Sequence, residues 1–277
     1  MKFAIVFVAC CLLGAFVAAE EEHEFIDWHH LKPLNLHVEP IGPVPESTGT
    51  RIIGGSVAPR NAFPYQVALI INNSGFCGGS IISRNWILTA AHCVDTGTRF
   101  QVIAGAHNPS TNEPSQVRMA AKSRVVHSEW NRSRLQNDIA VLEVPNIPIG
   151  KPGIDSIRLA PSNAGTYAGS KSVLSGWGRT SDASTSIASK LQYVHLSIIT
   201  NRVCQNSFGL NVRTTNICTS GVGRVGACNG DSGGPLVVDG VEVGVVSFGN
   251  GNCERGSPTV YARVSSYRAW IKQNTGV

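Results

Sequence analysis

The chain has 277 residues, 42% of them hydrophobic and only 15% charged, with 29 Gly, 14 Pro and a formal net charge of +5. It is too apolar for a disordered chain, and its Gly and Pro content falls short of a collagenous or low-complexity one. Lys and Arg are scattered without a dense run or interleaved aromatics, which argues against a nucleic-acid partner.

Lys2, the apolar run Phe3–Val17 and the small residues Val17-Ala18-Ala19 mark residues 1–19 as a secretory signal peptide. The run is at the short end for spanning ~30 Å of bilayer, and no second one follows. A soluble, secreted product with no membrane anchor is therefore expected. Residues 20–51 carry Lys32 and Arg51 against seven acids, a net of −5, whereas residues 52–277 carry +9. This acidic, Pro-bearing leader reads either as a poorly ordered solubilising tail or as a propeptide to be cut away.

From Arg51 onward, short apolar stretches recur between turn residues. In chain order they are Tyr65–Ile71, Trp86–Ala90, Gln101–Ala104, Ile139–Val144, Ser172–Leu174, Pro235–Val238, Val243–Phe248 and Thr259–Arg263. Each is about one strand long, and their spacing suits an all-β sandwich or barrel. Two helices are expected, one over Thr200–Ser207 with Thr200 as N-cap. The other covers Ser265–Asn274, with Tyr267, Trp270 and Ile271 on one face. Six cysteines remain after the signal: Cys77, Cys93, Cys204, Cys218, Cys228 and Cys253. An even count in an exported chain argues for three disulfides, with 15 pairings open. No C-x-x-C pair suggests structural zinc.

Three segments carry chemistry. His92 follows an apolar strand in Thr89-Ala90-Ala91-His92-Cys93. Asp138 opens a strand in Asn137-Asp138-Ile139-Ala140. Ser232 sits in the glycine-rich turn Gly230-Asp231-Ser232-Gly233-Gly234. An unassisted serine hydroxyl is a poor nucleophile; it needs a base, and the base needs an orienting acid. Separations of 46 and 94 residues mean that only the fold can bring the three together.

With these motifs, the start Arg51-Ile52-Ile53-Gly54-Gly55, Ser175-Gly176-Trp177-Gly178 and Pro258-Thr259-Val260-Tyr261-Ala262-Arg263-Val264, the chain resembles the chymotrypsin-like serine peptidases of arthropod chymotrypsin and brachyurin type. The resemblance implies an all-β fold of two packed six-stranded antiparallel β-barrels with a short C-terminal helix, spanning residues 52–277. It also implies a propeptide over residues 20–51. By resemblance Ser232 is the nucleophile, His92 the general base and acid, and Asp138 the group that orients the imidazole. The N–H groups of Gly230 and Ser232 would form the oxyanion hole. Ser247, Phe248 and Gly249 would pair with the substrate backbone, Phe248 standing where Trp is commoner. The implied disulfides are Cys77–Cys93, Cys204–Cys218 and Cys228–Cys253.

The resemblance also implies that cleavage after Arg51 would free the Ile52 amine to pair with Asp231, which would make the chain a zymogen. By the same resemblance Gly226, followed by Ala227, would fall at the base of the primary pocket, where a trypsin-like enzyme carries Asp, and Gly249 and Thr259 would fall on its walls. Cleavage after Phe, Tyr, Leu or Met is expected. Elastase- or collagenase-like specificity is the alternative, as is a non-catalytic homologue that binds proteins. A monomer is implied that needs no cofactor or metal and acts on proteins or peptides. A trypsin-like activator and protein protease inhibitors are its implied partners. Glu113 is the only acid in His107–Gln116, too few for calcium. Asn72 and Asn131 head glycosylation sequons.

Overall fold

The structure is a computed structural model and describes residues 26–41 and 54–277. The signal peptide and the Arg51–Ile52 bond lie outside the described residues. Two short strands of the leader come first, β1 (Lys32–Pro33) and β2 (Leu36–His37), then β3 (Ser56–Val57). The first half of the body holds β4 (Gln66–Ile71), β5 (Gly75–Ser83), β6 (Trp86–Thr89), helix α1 (Ala91–Val94), β7 (Phe100–Ala104), β8 (Val117–Ala120), β9 (Ser123–Val126) and β10 (Ala140–Glu143). The second half holds β11 (Arg158–Leu159), β12 (Lys171–Gly176), β13 (Gln192–Ile199), α2 (Asn201–Phe208), β14 (Asn216–Thr219), β15 (Pro235–Val238), β16 (Val241–Gly249), β17 (Thr259–Arg263) and α3 (Arg268–Thr275).

The two halves close differently. In the second, the strand order β16-β15-β12-β13-β14-β17 returns on itself through a β16–β17 pairing, so six antiparallel strands form a barrel. In the first, the order β8-β7-β4-β5-β6-β10-β9 ends on two strands that do not pair. Only residues 121 and 122 separate β8 from β9, so the two are one bent strand shared by both edges. The first half is thus a curled half-barrel closed by chain continuity rather than by a ladder. A bend lets one strand change partners without leaving an open edge.

Both helices form where expected. Thr200 Oγ1 accepts from the Val203 N–H at 3.3 Å and caps α2. Tyr267 and Ile271 are buried at the C-terminal helix, with Trp270 packed beside them. One apolar core runs through both halves, joining Val67, Leu69 and Val141 to Leu174, Leu236 and Val245. Polar bonds cross between the halves too: Ser175 Oγ donates to Gln66 Oε1 at 2.7 Å, and the Gly78 N–H donates to Ser232 O at 2.8 Å.

A third cross-link is charged in principle. Ser80 Oγ donates to Glu242 Oε2 at 2.6 Å, and Glu242 is fully buried with Oε1 unpartnered. Burial pushes its pKa up to about 8, against the smaller lowering effect of the Ser80 hydrogen bond. The folded state therefore holds a proton that the unfolded chain releases near pH 4–5. Stability from this group is present at low pH and drains away up to about pH 8, in total roughly 5 kcal/mol. Glu242→Gln should leave Tm little changed at pH 5 and raise it, relative to the parent, by about 10 °C towards pH 9. A thermal-unfolding series across that range reads the difference, and a pH-independent offset would sink the assignment.

Candidate active site

The antiparallel β6–β10 pairing sets Thr89 opposite Ala140, so the chain just after β6 and the chain just before β10 lie at the same sheet end. That places His92, on α1, beside Asp138. His92 Nδ1 lies 2.8 Å from Asp138 Oδ2, and the His92 N–H donates to Asp138 Oδ1 at 2.9 Å. Ser247 Oγ donates to Asp138 Oδ2 at 2.6 Å. Three donors thus serve a carboxylate that is only 2% exposed, which such burial requires. An acid that accepts from Nδ1–H holds the proton on that nitrogen and leaves Nε2 free as the base.

Ser232 comes from the second barrel, on the turn before β15. The turn is pinned from both sides: Ser232 O accepts from Gly78 N–H, and Gly233 N–H donates to Val246 O at 2.9 Å. Gly233 has φ +78°, and a Cβ there would collide with Thr89 Oγ1. Gly230 has φ +106°, with Ile187 Cγ2 3.0 Å from where a Cβ would stand. Side chains rarely adopt such backbones, so glycine is required at both. Ser232 lines the pocket, and His92 meets Asp138 through Nδ1 and its backbone N–H and Cys93 Sγ through Nε2, at 3.8 Å, rather than Ser232.

The trypsin family model matches residues 52–271. Brachyurin from Leptuca pugilator is 40% identical over 228 residues, 82% of this chain and 99% of that protein. Chymotrypsin from Phaedon cochleariae is 35% identical over 285 aligned residues, 99% of this chain and 98% of that protein. The solved structure of HL collagenase aligns with a TM-score of 0.73 at 33% identity, covering 81% of this chain and 99% of that one. The chain belongs to the trypsin family of serine proteases. It acts on protein substrates.

In this protease Asp231 is fully buried between the halves of the Ser232 turn. Its carboxylate accepts from Gly178 N–H at 2.8 Å and Cys228 N–H at 3.0 Å. A Cβ on Gly176 or Gly178 would collide with its oxygens. Those two glycines are functional positions that the sequence motif contained but did not explain: they hollow out the bed for Asp231. No cation pairs with it among the described residues. Burial pushes its pKa up to about 6, with the two N–H donors pulling the other way.

A pocket beside Ser232 is lined by Ala227, Cys228, Asn229, the β16 edge and Thr259. Gly226 is not on its surface. Thr259 Oγ1 stands 3.1 Å from where a Gly226 Cβ would be and accepts from Ala227 N–H at 3.4 Å. Thr259 itself lines the pocket, and among the described residues no acidic side chain does. A Cβ on Gly249 would meet only Pro258 O, at 4.0 Å, so that wall is open.

Disulfides join Cys77–Cys93, Cys204–Cys218 and Cys228–Cys253. The first ties α1, with His92, to β5. The third anchors the chain before Ser232 to the pocket's far wall. Three such bonds are consistent with secretion into an oxidising compartment. Among the described residues, each cluster with metal-ligand spacing contains both sulfurs of one disulfide, which offer no thiolate. Glu113, the lone acid of the His107–Gln116 loop, is already engaged. It accepts from His107 N–H at 2.7 Å, Arg60 at 2.8 Å and Gln116 Nε2 at 3.0 Å. Among the described residues, no helix is long and apolar enough to cross a membrane.

Proposed function

We propose that the protein is a secreted serine endopeptidase, made as a zymogen and activated by cleavage after Arg51, that cuts after large apolar residues. Ser232 Oγ attacks the scissile carbonyl while His92 Nε2 takes its proton. Asp138 keeps the Nδ1 proton in place and stabilises the imidazolium that forms. The N–H groups of Gly230 and Ser232 hold the oxyanion. His92 then gives its proton to the leaving amine, and a water repeats the cycle on the acyl-enzyme. The hydrogen-bonded His92–Asp138–Ser247 arrangement supports these roles.

The P1 preference rests on one observation: a pocket without an acid, open at Gly249 and partly filled at its base by Thr259. Burying an unpaired Lys or Arg there would be costly. Self-activation at Arg51 is correspondingly poor, and a trypsin-like enzyme is the expected activator. The relatives carry the names chymotrypsin, trypsin, brachyurin and collagenase, so kinship does not select among specificities.

The test is to treat the proenzyme with trypsin, quench the trypsin selectively and profile cleavage of a mixed peptide library against a Ser232→Ala blank. Cuts after Phe, Tyr, Leu or Met are expected. Cuts after Ala or Val would mean that Thr259 sets the pocket depth and favour elastase-like specificity. Thr259→Gly should shift preference towards the bulkier of two apolar P1 residues by about 10- to 100-fold in kcat/KM.

A further inference from the structure

The leader lies along the substrate cleft. Leu31 is buried in one cluster with Phe76 and Trp177. From there β1 pairs parallel with β5, Lys32 opposite Gly75 and Pro33 opposite Phe76, and Leu34 N–H donates to Phe76 O at 3.0 Å. At the next residue, Asn35 Oδ1 accepts from Gly230 N–H at 3.2 Å. Then β2 pairs parallel with β16, Leu36 opposite Phe248 and His37 opposite Gly249, and Val38 N–H donates to Gly249 O at 2.9 Å. Asn35, Leu36 and His37 line the pocket beside Ser232. The space that remains is about 30 Å³, room for one or two waters.

We infer that residues 31–38 are a built-in peptide inhibitor of the protease's own cleft, which closes the proenzyme by occupancy and rebinds in trans once detached. This rests on the protease reading above. The acceptor at the Gly230 donor is a side-chain carboxamide, not a peptide carbonyl. Asn35 Nδ2 donates to Pro33 O at 3.0 Å, which fixes the amide with its oxygen towards Gly230. The leader therefore fills the oxyanion position without presenting a scissile bond there. It takes up edge hydrogen bonds of both barrels that a bound substrate strand would need.

The tether decides when occupancy ends. Residues 39–51 separate the docked strand from the activation bond, and the leader contains no Cys. While the chain is whole, the segment is held at an effective concentration of the order of mM. After the cut it is a free peptide subject to dilution. Affinity in the micromolar range is thus enough to close the proenzyme and still release the enzyme. The exposed Glu39–Arg255 pair, at 3.6 Å, adds little.

The experiment uses trypsin-activated enzyme freed of its leader and a synthetic peptide of residues 26–41. Competitive inhibition is expected with Ki of roughly 1–100 μM. Asn35→Ala in the peptide should weaken it about tenfold, the scale of one lost hydrogen bond. Mass analysis should show the bonds of residues 31–38 intact after prolonged incubation. No competition at 1 mM (about the tethered concentration), indifference to Asn35→Ala, or rapid scission within 31–38 would overturn the inference. Should the cleaved protein lack peptidase activity altogether, the protease reading fails, not this one. Anisotropy of a fluorescent 26–41 peptide on cleaved Ser232→Ala protein then decides it: saturable binding weakened by Asn35→Ala supports the inlaid strand, and no binding refutes it.

Discussion

Ser232→Ala lowers kcat of the activated protease by about a millionfold, and adding His92→Ala to that variant costs almost nothing more. These magnitudes are those of serine proteases as a class; the geometry supplies the reason for the non-additivity. His92 faces Asp138 with Nδ1 at 2.8 Å and is buried with it, and the role proposed for its Nε2, which lies 3.8 Å from Cys93 Sγ, is to take the Ser232 proton. Without the hydroxyl, that base has nothing to activate. Asp138→Asn is a different lesion. A carboxamide can donate to Nδ1, which moves the imidazole proton to Nε2 and removes the base without emptying the site. The expected loss is about 10⁴-fold. Ser247, whose hydroxyl also reaches Asp138, acts through that carboxylate, so Ser247→Ala should reduce kcat far less. Active-site titration beside steady-state kinetics separates slow enzyme from absent enzyme. Additive losses in the Ser232→Ala, His92→Ala double variant would mean that the two residues do not act as one unit.

The meeting of His92 with Asp138 was legible in the sequence because the candidate residues are concentrated in short segments. His92, Asp138 and Ser232 each sit at a strand end, where a side chain can leave the sheet. Pro235–Val238 and Thr259–Arg263 form strands with the bounds the sequence suggested, since continuous apolar runs between turn residues suit buried strands. The strand Gly75–Ser83 was not legible. Its three glycines interrupt the apolar run, yet they serve close packing: a Cβ on Gly78 would stand 3.1 Å from Gly234 Cα, and one on Gly79 would stand 3.0 Å from Ile87 Cγ2. The strand Gln192–Ile199 alternates in burial along its length and is not an apolar run, so it too escaped. The docked leader is the larger departure. Pro33 and the acidic composition suggest a loose tail, but residues 31–38 find their hydrogen bonds on two sheet edges far away in sequence, and no local pattern encodes that. The barrels also differ in closure, because the β8–β9 bend depends on which strands its two ends pair with.

Asp231→Asn should leave the cleaved protein with between about a hundredth and a few ten-thousandths of its kcat/KM. In the uncleaved chain this carboxyl has two N–H donors, no cation among the described residues and a pKa pushed up to about 6 by burial. Cleavage after Arg51 would supply an α-ammonium group at Ile52, two residues before Gly54, which packs against Val225. Pairing lowers the Asp231 pKa and raises that of the amine above its ordinary value of about 8. The pair's contribution is therefore present at neutral pH. It is lost at low pH as the carboxylate takes a proton, and at high pH as the amine gives one up. Breaking a buried pair by removing one partner costs about 3–5 kcal/mol, which sets the range of the expected loss. The loss should fall on the Ser232 turn, because Asp231 sits between Gly230 and Ser232, the proposed oxyanion donor and nucleophile. Two measurements check this together. Acetylating the Ile52 amine of active enzyme should reproduce the Asp231→Asn defect, and the alkaline limb of the kcat/KM profile should lie above pH 8 and disappear in the variant. If Asp231→Asn retains more than half the parent activity, the buried carboxylate shapes the turn without switching it, and activation must act through the release of the leader alone.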